Sequence, residues 1–287
     1  MKNIDKLKDL ALAVASAFIC VLIYHTVGNV ITGAIADDFL SSFLAETVFA
    51  ALTMGTVILL KQTDLFHSDP ALLKSGWTSA GILFATSMFL GLFGLSRLLN
   101  SGVTISAFQW ILMIGHVLLV GFCEEVMFRG LIQRALHRLF GEDSFGHVFL
   151  AVLCNGIIFG CMHLFNMDRG NPMLATIHQV GITCFMGMLF GAIYYRTGKN
   201  IWYMMILHAL YDLLGLIVNG RASGATLNNV LDTTGGSMSL LAVLIAIAVW
   251  GGVNTLGTLF ILRPKKLNPL LEKAADTTPA VVHAEAA

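Results

Sequence analysis

The sequence predicts an all-α polytopic membrane bundle of about eight spans, and three observations carry that prediction. The chain of 287 residues is 56% apolar and only 12% charged, about half the ~25% charge of a soluble domain. The apolar residues fall in runs of about 20 without Asp, Glu, Lys or Arg, long enough to cross the ~30 Å hydrocarbon core. Basic residues, finally, gather between alternate runs. An ordinary soluble enzyme is excluded. Because 17 basic residues face 17 acidic ones, there is also no basic field to attract nucleic acid.

The spans are read in order as Leu10–Gly33, Ser42–Leu60, Gly76–Ser96, Val103–Phe122 and beyond, His147–Phe165, Met173–Tyr195, Ile201–Val218 and Met238–Leu262. Lys2, Lys6 and Lys8 precede the first run, and Ala34-Ile35-Ala36 follows it like a cleavage site. The run exceeds the roughly 7–15 apolar residues of a signal peptide, so it is read as an anchor. Eight spans place the N-terminus, the second, fourth and sixth loops and the C-terminal segment on one face. That face carries Lys2, Lys6, Lys8, Lys61, Lys74, Arg129, Arg134, Arg138, Arg196, Lys199, Arg263, Lys265, Lys266 and Lys273. The other keeps Arg97, Arg169 and Arg221. Basic residues favour cytoplasmic loops, so both termini are expected in the cytoplasm. Residues 268–287 show no sustained apolar face and are expected to be a flexible tail.

An ionisable residue at mid-bilayer costs ~2.5–3.5 kcal/mol on insertion scales and marks a site or pathway when present. The spans contain Glu46, Glu124, Glu125 and Asp212, with Arg129 at a boundary. Glu46 stands alone and is expected to reach the headgroups. In Glu124-Glu125-Val-Met-Phe-Arg129, the four-residue spacing lets Glu125 pair with Arg129. Glu124, turned by about 100°, is left as an unshared carboxylate suited to general-base work. Two further pairs use the same spacing: Phe159 with His163, and His208 with Asp212. His25, His116 and His178 have no acidic partner four residues away and are read as packing residues. The cysteines, Cys20, Cys123, Cys154, Cys161 and Cys184, lie in apolar runs with no CxxC pair, which argues against a disulfide framework or thiolate zinc site; they are expected to be small buried hydrophobes.

The ordered set Glu-Glu-x-x-x-Arg, Phe-x-x-x-His and His-x-x-x-Asp on successive spans resembles the CAAX-protease and bacteriocin-processing (CPBP, Abi) family of intramembrane proteases. The resemblance covers roughly Val103 to Asn219 and implies a catalytic membrane core at 101–220, preceded by three spans at 10–100 and followed by a last span at 221–267. It implies an endopeptidase acting on membrane-associated, prenylated or bacteriocin-type peptides, in a bacterial plasma membrane. Glu124 would activate water with help from His163. His208 and Asp212 would stabilise the oxyanion or position the water, and Glu125, Arg129 and Phe159 would support the site. The family commonly has Asn where this chain has Asp212.

Two versions of the chemistry stay open: a zinc ion held by Glu124, His163 and His208, or a metal-free glutamate mechanism. The zincin signature His-Glu-x-x-His is absent from the sequence. A rise of 1.5 Å per residue predicts that the fourth helix overshoots through Arg129 towards Phe140. It also sets the site in the half of the membrane nearer the N-terminal face. The competing readings are an ion- or proton-coupled transporter and a non-catalytic immunity or scaffold protein.

Overall fold

The computed structural model describes residues 3–68, 72–169, 173–222, 224–227 and 239–277. Every regular element among them is helical. Among the described residues, eight helices are long and apolar enough to cross a membrane. They are α1 (Asn3–Ala34), α2 (Asp38–Leu59), α3 (Leu73–Asn100), α4 (Ala107–Phe140), α5 (Phe145–Met162), α6 (Met173–Arg196), α7 (Ile201–Ala222) and α8 (Leu240–Ile261). A further helix, α9 (Pro264–Thr277), follows. Large apolar side chains such as Phe89, Leu99, Leu241 and Leu256 point outward, as a lipid-facing surface requires and a water-facing one does not tolerate in bulk.

Polar residues outside the apolar runs set the helix ends. Asp37, Ser144, Asn200 and Ser239 each accept a backbone N–H from the first turn of α2, α5, α7 and α8. Ser106 and Gln109 form a reciprocal capping box at the start of α4, which satisfies two otherwise orphaned donors. α4 then runs unbroken for 34 residues, about 51 Å at the helical rise, and stops at Gly141, whose φ of 97° favours glycine. The expected overshoot is therefore present. Arg129, counted among the basic loop residues, instead lies fully buried within this helix.

Two ends of the bundle can be told apart by their ties. At one end Arg138 pairs with Asp9 at 3.8 Å, Arg134 with Asp64, and Lys199 with Glu142. Arg196 donates to Ser75 Oγ at 2.8 Å and to the Lys266 carbonyl. This end therefore gathers the starts of α1 and α9 and most of the basic residues. At the other end Arg221 reaches Asp38 at 3.3 Å, joining the end of α7 to the start of α2.

Small residues permit close helix approach where lipid offers no hydrophobic drive between helices. A Cβ on Gly156 would meet the Cys184 carbonyl oxygen at 2.6 Å, and one on Gly160 the Cys184 nitrogen at 2.8 Å. Gly187 faces back at Phe159 and Gly156, so α5 and α6 meet nearly backbone to backbone.

Three expectations need correction. The first helix begins at Asn3, not near Leu10, because the Lys-bearing first turns extend it beyond the apolar run. The tail read as flexible from residue 268 is helical to Thr277. Pro264 suits the first helical position, and Leu267, Leu270 and Leu271 fold onto the core at helical spacing; residues 278–287 lie outside the described residues, as does Met238. Cys161 is exposed rather than buried.

Burial raises the pKa of Glu142, but the Lys199 ammonium and the Tyr195 hydroxyl outweigh it and hold the carboxyl below its ordinary value. The stabilisation is thus complete above the unfolded value of ~4.3 and is lost as pH falls through the lower folded value. Glu142→Gln is expected to flatten the decline of thermal stability below about pH 4.3, measured as Tm against pH in detergent.

Candidate functional site

The site assembles where α4, α5, α6 and α7 converge. Its first element is the pair predicted from spacing. Arg129 Nη1 lies 3.1 Å from Glu125 Oε1, and both side chains are fully buried. A buried ion pair needs further partners to offset desolvation; several are present, while Arg129 Nε and Glu125 Oε2 have no hydrogen-bond partner among the described residues. The guanidinium lies over the faces of Phe159 (4.5 Å) and Phe190 (5.4 Å) and reaches the Gly187 carbonyl at 3.4 Å. Stacking a guanidinium on aromatic faces is favourable when both are shielded from water.

The same Glu125 oxygen holds His208 Nδ1 at 2.7 Å. A carboxylate only accepts, so Nδ1 is the donor and Nε2 is turned the other way. Nε2 lies 3.5 Å from Glu124 Oε2 and 3.6 Å from Asp212 Oδ2. α7 can approach this closely because of Gly121. A Cβ there would meet the Met205 carbonyl oxygen at 2.6 Å and the Ala209 nitrogen at 3.2 Å. The glycine one turn before the glutamates therefore positions the histidine on the neighbouring helix.

His163 comes from the end of α5, where a 3₁₀ segment (His163–Arg169) begins. Its Nδ1 lies 3.0 Å from the Phe159 carbonyl oxygen, which can only accept, so Nδ1 carries the proton. In the neutral ring this leaves Nε2 as an acceptor. Phe159 sits between the two imidazoles, 5.0 Å from His163 and 6.4 Å from His208, centre to centre.

Two of the converging helices change their winding at the motif residues. α4 becomes π-helical over Glu125–Gln133, and α7 does so over Asp212–Ile217. Such i→i+5 stretches recur at functional sites because they re-aim side chains at a cost in helix regularity. Behind the first, Gln133 donates to the Gly191 carbonyl at 2.9 Å and accepts from Asn155 at 3.2 Å, which locks α4 to α5 and α6.

Glu124 and His163 line two cavities. The smaller, about 80 Å³, also has His208 and Asp212 in its wall. The larger, about 290 Å³, extends from Glu124 and His163 along α1 and α2 past Glu46, His25 and His116. The four proposed catalytic residues thus share one wall with Phe159, and behind it Glu125 holds His208 and Arg129 stacks on Phe159. The wider cavity is lined by the end of α1 and the start of α2, so it lies towards the end of the bundle opposite the N-terminus.

Sequence reasoning passed over several members of this cavity. Glu46 does not reach the headgroups; it is 4% exposed and accepts a hydrogen bond from the Tyr24 hydroxyl. His25 and His116, read as packing residues, face the cavity, and so do Asn166 and Gln179, which bond to each other at 2.9 Å. None of them has an ionisable residue four positions away, so no such spacing announces it. A charged residue inside span two was the one usable signal.

Among the described residues, no group of three or more His, Cys, Asp or Glu side chains is arranged to hold a metal ion. Glu124, His163 and His208 as placed are not such a group.

Residues 106–214 match the family model described as type II CAAX prenyl endopeptidase Rce1-like. No curated protein matches the chain. The matched stretch contains every motif residue above, from Glu124 to Asp212. With eight apolar helices, the match indicates an integral multi-pass membrane protein and supports an intramembrane protease in general terms.

Gly121→Val is expected to separate α7 from α4. Overpacking of this kind costs roughly 1–3 kcal/mol. The expected result is a lower Tm in detergent together with loss of peptide cleavage.

Proposed function

We propose that the protein is an intramembrane endopeptidase in which Glu124 activates water against a peptide bond of a membrane-associated or lipidated substrate. The observation that carries this reading is the separation of roles between adjacent carboxylates. Glu125 is consumed by Arg129 and His208, whereas Glu124 borders both cavities with its side chain 23% exposed. One acid braces the site, and the other is left to meet water.

The chemistry follows from the geometry. Water in the small cavity donates one hydrogen bond to Glu124 and a second to the Nε2 acceptor of His163, which fixes its lone pair towards the substrate carbonyl. As the C–O bond forms, the water proton passes to Glu124. His208, held at Nδ1 by Glu125 and flanked by Asp212, orients the groups around the developing oxyanion. Collapse of the tetrahedral species breaks the C–N bond, and Glu124 returns its proton to the leaving amine. The oxygen of water ends in the new carboxylate, and the enzyme is restored. Positioning of this kind can supply several kcal/mol, and a general base typically contributes 10²–10⁴-fold.

The same reading places both termini in the cytoplasm, following the excess of Lys and Arg at their end of the bundle. The wide cavity then opens towards the opposite side of the membrane. A bacterial plasma membrane is the proposed setting. The transporter alternative also uses buried Glu and His, and an immunity or scaffold protein would need neither cavity nor catalyst.

Glu124→Gln separates these readings. Cleavage is expected to fall at least ~10²-fold with Tm retained. Unchanged cleavage, or ion-coupled uptake into vesicles, would overturn the assignment. Metal analysis of the active protein is expected to show full activity without stoichiometric zinc; loss on chelation with recovery on adding zinc would restore the metal version. Asp212→Asn keeps an oxygen acceptor beside His208 and is expected to retain activity within about tenfold, or 1.4 kcal/mol.

A further inference from the structure

We infer that the Tyr211 hydroxyl donates the hydrogen bond that stabilises the oxyanion of the cleaved peptide bond, which makes Tyr211 a further catalytic residue. The inference rests on reading the site as a protease, and it supplies a group that the reaction otherwise lacks.

Negative charge grows on the substrate carbonyl oxygen as water adds, and N–H or O–H donors aimed at that oxygen lower the barrier. The motif residues offer no free donor. Carboxylates only accept, so Glu124 and Asp212 oppose the developing charge. His163 Nδ1 already donates to the Phe159 carbonyl oxygen. His208 Nδ1 donates to Glu125, and its Nε2 faces Glu124 and Asp212. With one proton on the ring, Nε2 is an acceptor; with two, its N–H is directed at those acids.

Two hydroxyls stand among the described residues that line the small cavity, on Thr183 and Tyr211. Thr183 donates to the Gln179 carbonyl oxygen at 2.8 Å. The Tyr211 hydroxyl makes no hydrogen bond among the described residues, and it is not sealed off from the space around it. The side chain is otherwise buried, at 7% exposure. His208, Tyr211 and Asp212 fall at i, i+3 and i+4 on α7, which is one helix face, and all three line the cavity.

Packing alone holds the phenol. Phe190 meets its ring edge-on at 6.3 Å and meets His208 at 5.1 Å. On the other side the ring passes Gly215, where a Cβ would lie 3.8 Å from Cε2. The ring is therefore fixed and its O–H is left for a ligand. With an ordinary pKa of ~10, a tyrosine keeps its proton at neutral pH. Tyr211 thus donates without transferring: the water proton still passes to Glu124 and then to the leaving amine.

The test uses Y211F, which removes one oxygen and keeps the ring contacts. Tm, kcat and KM are measured for wild type, Y211F, D212N and Y211F/D212N with a short apolar lipid-anchored peptide. Loss of one oxyanion donor costs about 10²–10³ in kcat. Y211F is expected to lose about 10²-fold in kcat with Tm unchanged and KM within about twofold, the pattern of a contact made only in the transition state. In D212N the new amide N–H lies beside the same oxygen, and Y211F should then cost about tenfold or less. A packing role would lower Tm or shift KM and would cost the same factor in both backgrounds. Cleavage by Y211F at the wild-type rate, expected if the Gln179 amide is the donor instead, would overturn the inference. So would an equal loss of kcat in both backgrounds. A peptide left whole by the wild type would overturn the protease reading and the inference with it, a result distinct from either.

Discussion

The Glu125–Arg129 ion pair is the constraint on which the rest of the site depends. Two full charges inside an apolar bundle survive only when each has several partners. Arg129 finds them on α5 and α6 through Phe159, Phe190 and Gly187, and Glu125 finds one on α7 through His208. One interaction therefore ties α6 to the three helices that bear the motifs. It also fixes which way His208 points. Since Nδ1 is held by Glu125, Nε2 must face Glu124 and Asp212.

From that constraint the division of labour between the two glutamates follows. Adjacent residues on a helix point about 100° apart, so one guanidinium does not serve both. Glu125 faces the bundle interior, and Glu124 faces the cavities. The π-helical turn that begins at Glu125 gives up regular hydrogen bonding at the point where the ion pair and the aromatic stack take over the stabilisation of α4.

Much of this was legible in the sequence, and the reasons are specific. Spacing of four residues placed Glu125 with Arg129 and His208 with Asp212, because helix geometry is local. Run length and loop charge gave eight spans for the same reason. Contacts between helices were harder to read. Nothing near Glu46 names Tyr24, 22 residues away on another helix, and nothing near His25 or His116 marks them as facing one cavity. The Gly156-x-x-x-Gly160 and Gly187-x-x-x-Gly191 spacings were readable as close-packing signals, yet which helix each would meet was not. The helix at Pro264–Thr277 escaped notice because its three leucines are diluted by polar residues.

The most direct test of this architecture is a double-mutant cycle on Glu125 and Arg129, with Tm and cleavage measured for E125Q, R129M and the double variant. Breaking a buried pair from one side typically costs ~3–5 kcal/mol, and replacing both partners costs much less. The account predicts that each single variant is strongly destabilised and that the double variant regains much of the lost Tm. Cleavage should stay impaired in the double variant, because His208 no longer has a carboxylate to orient it. Additive losses of stability, or full cleavage in the double variant, would contradict the claim that this pair both holds the helices together and aims the histidine.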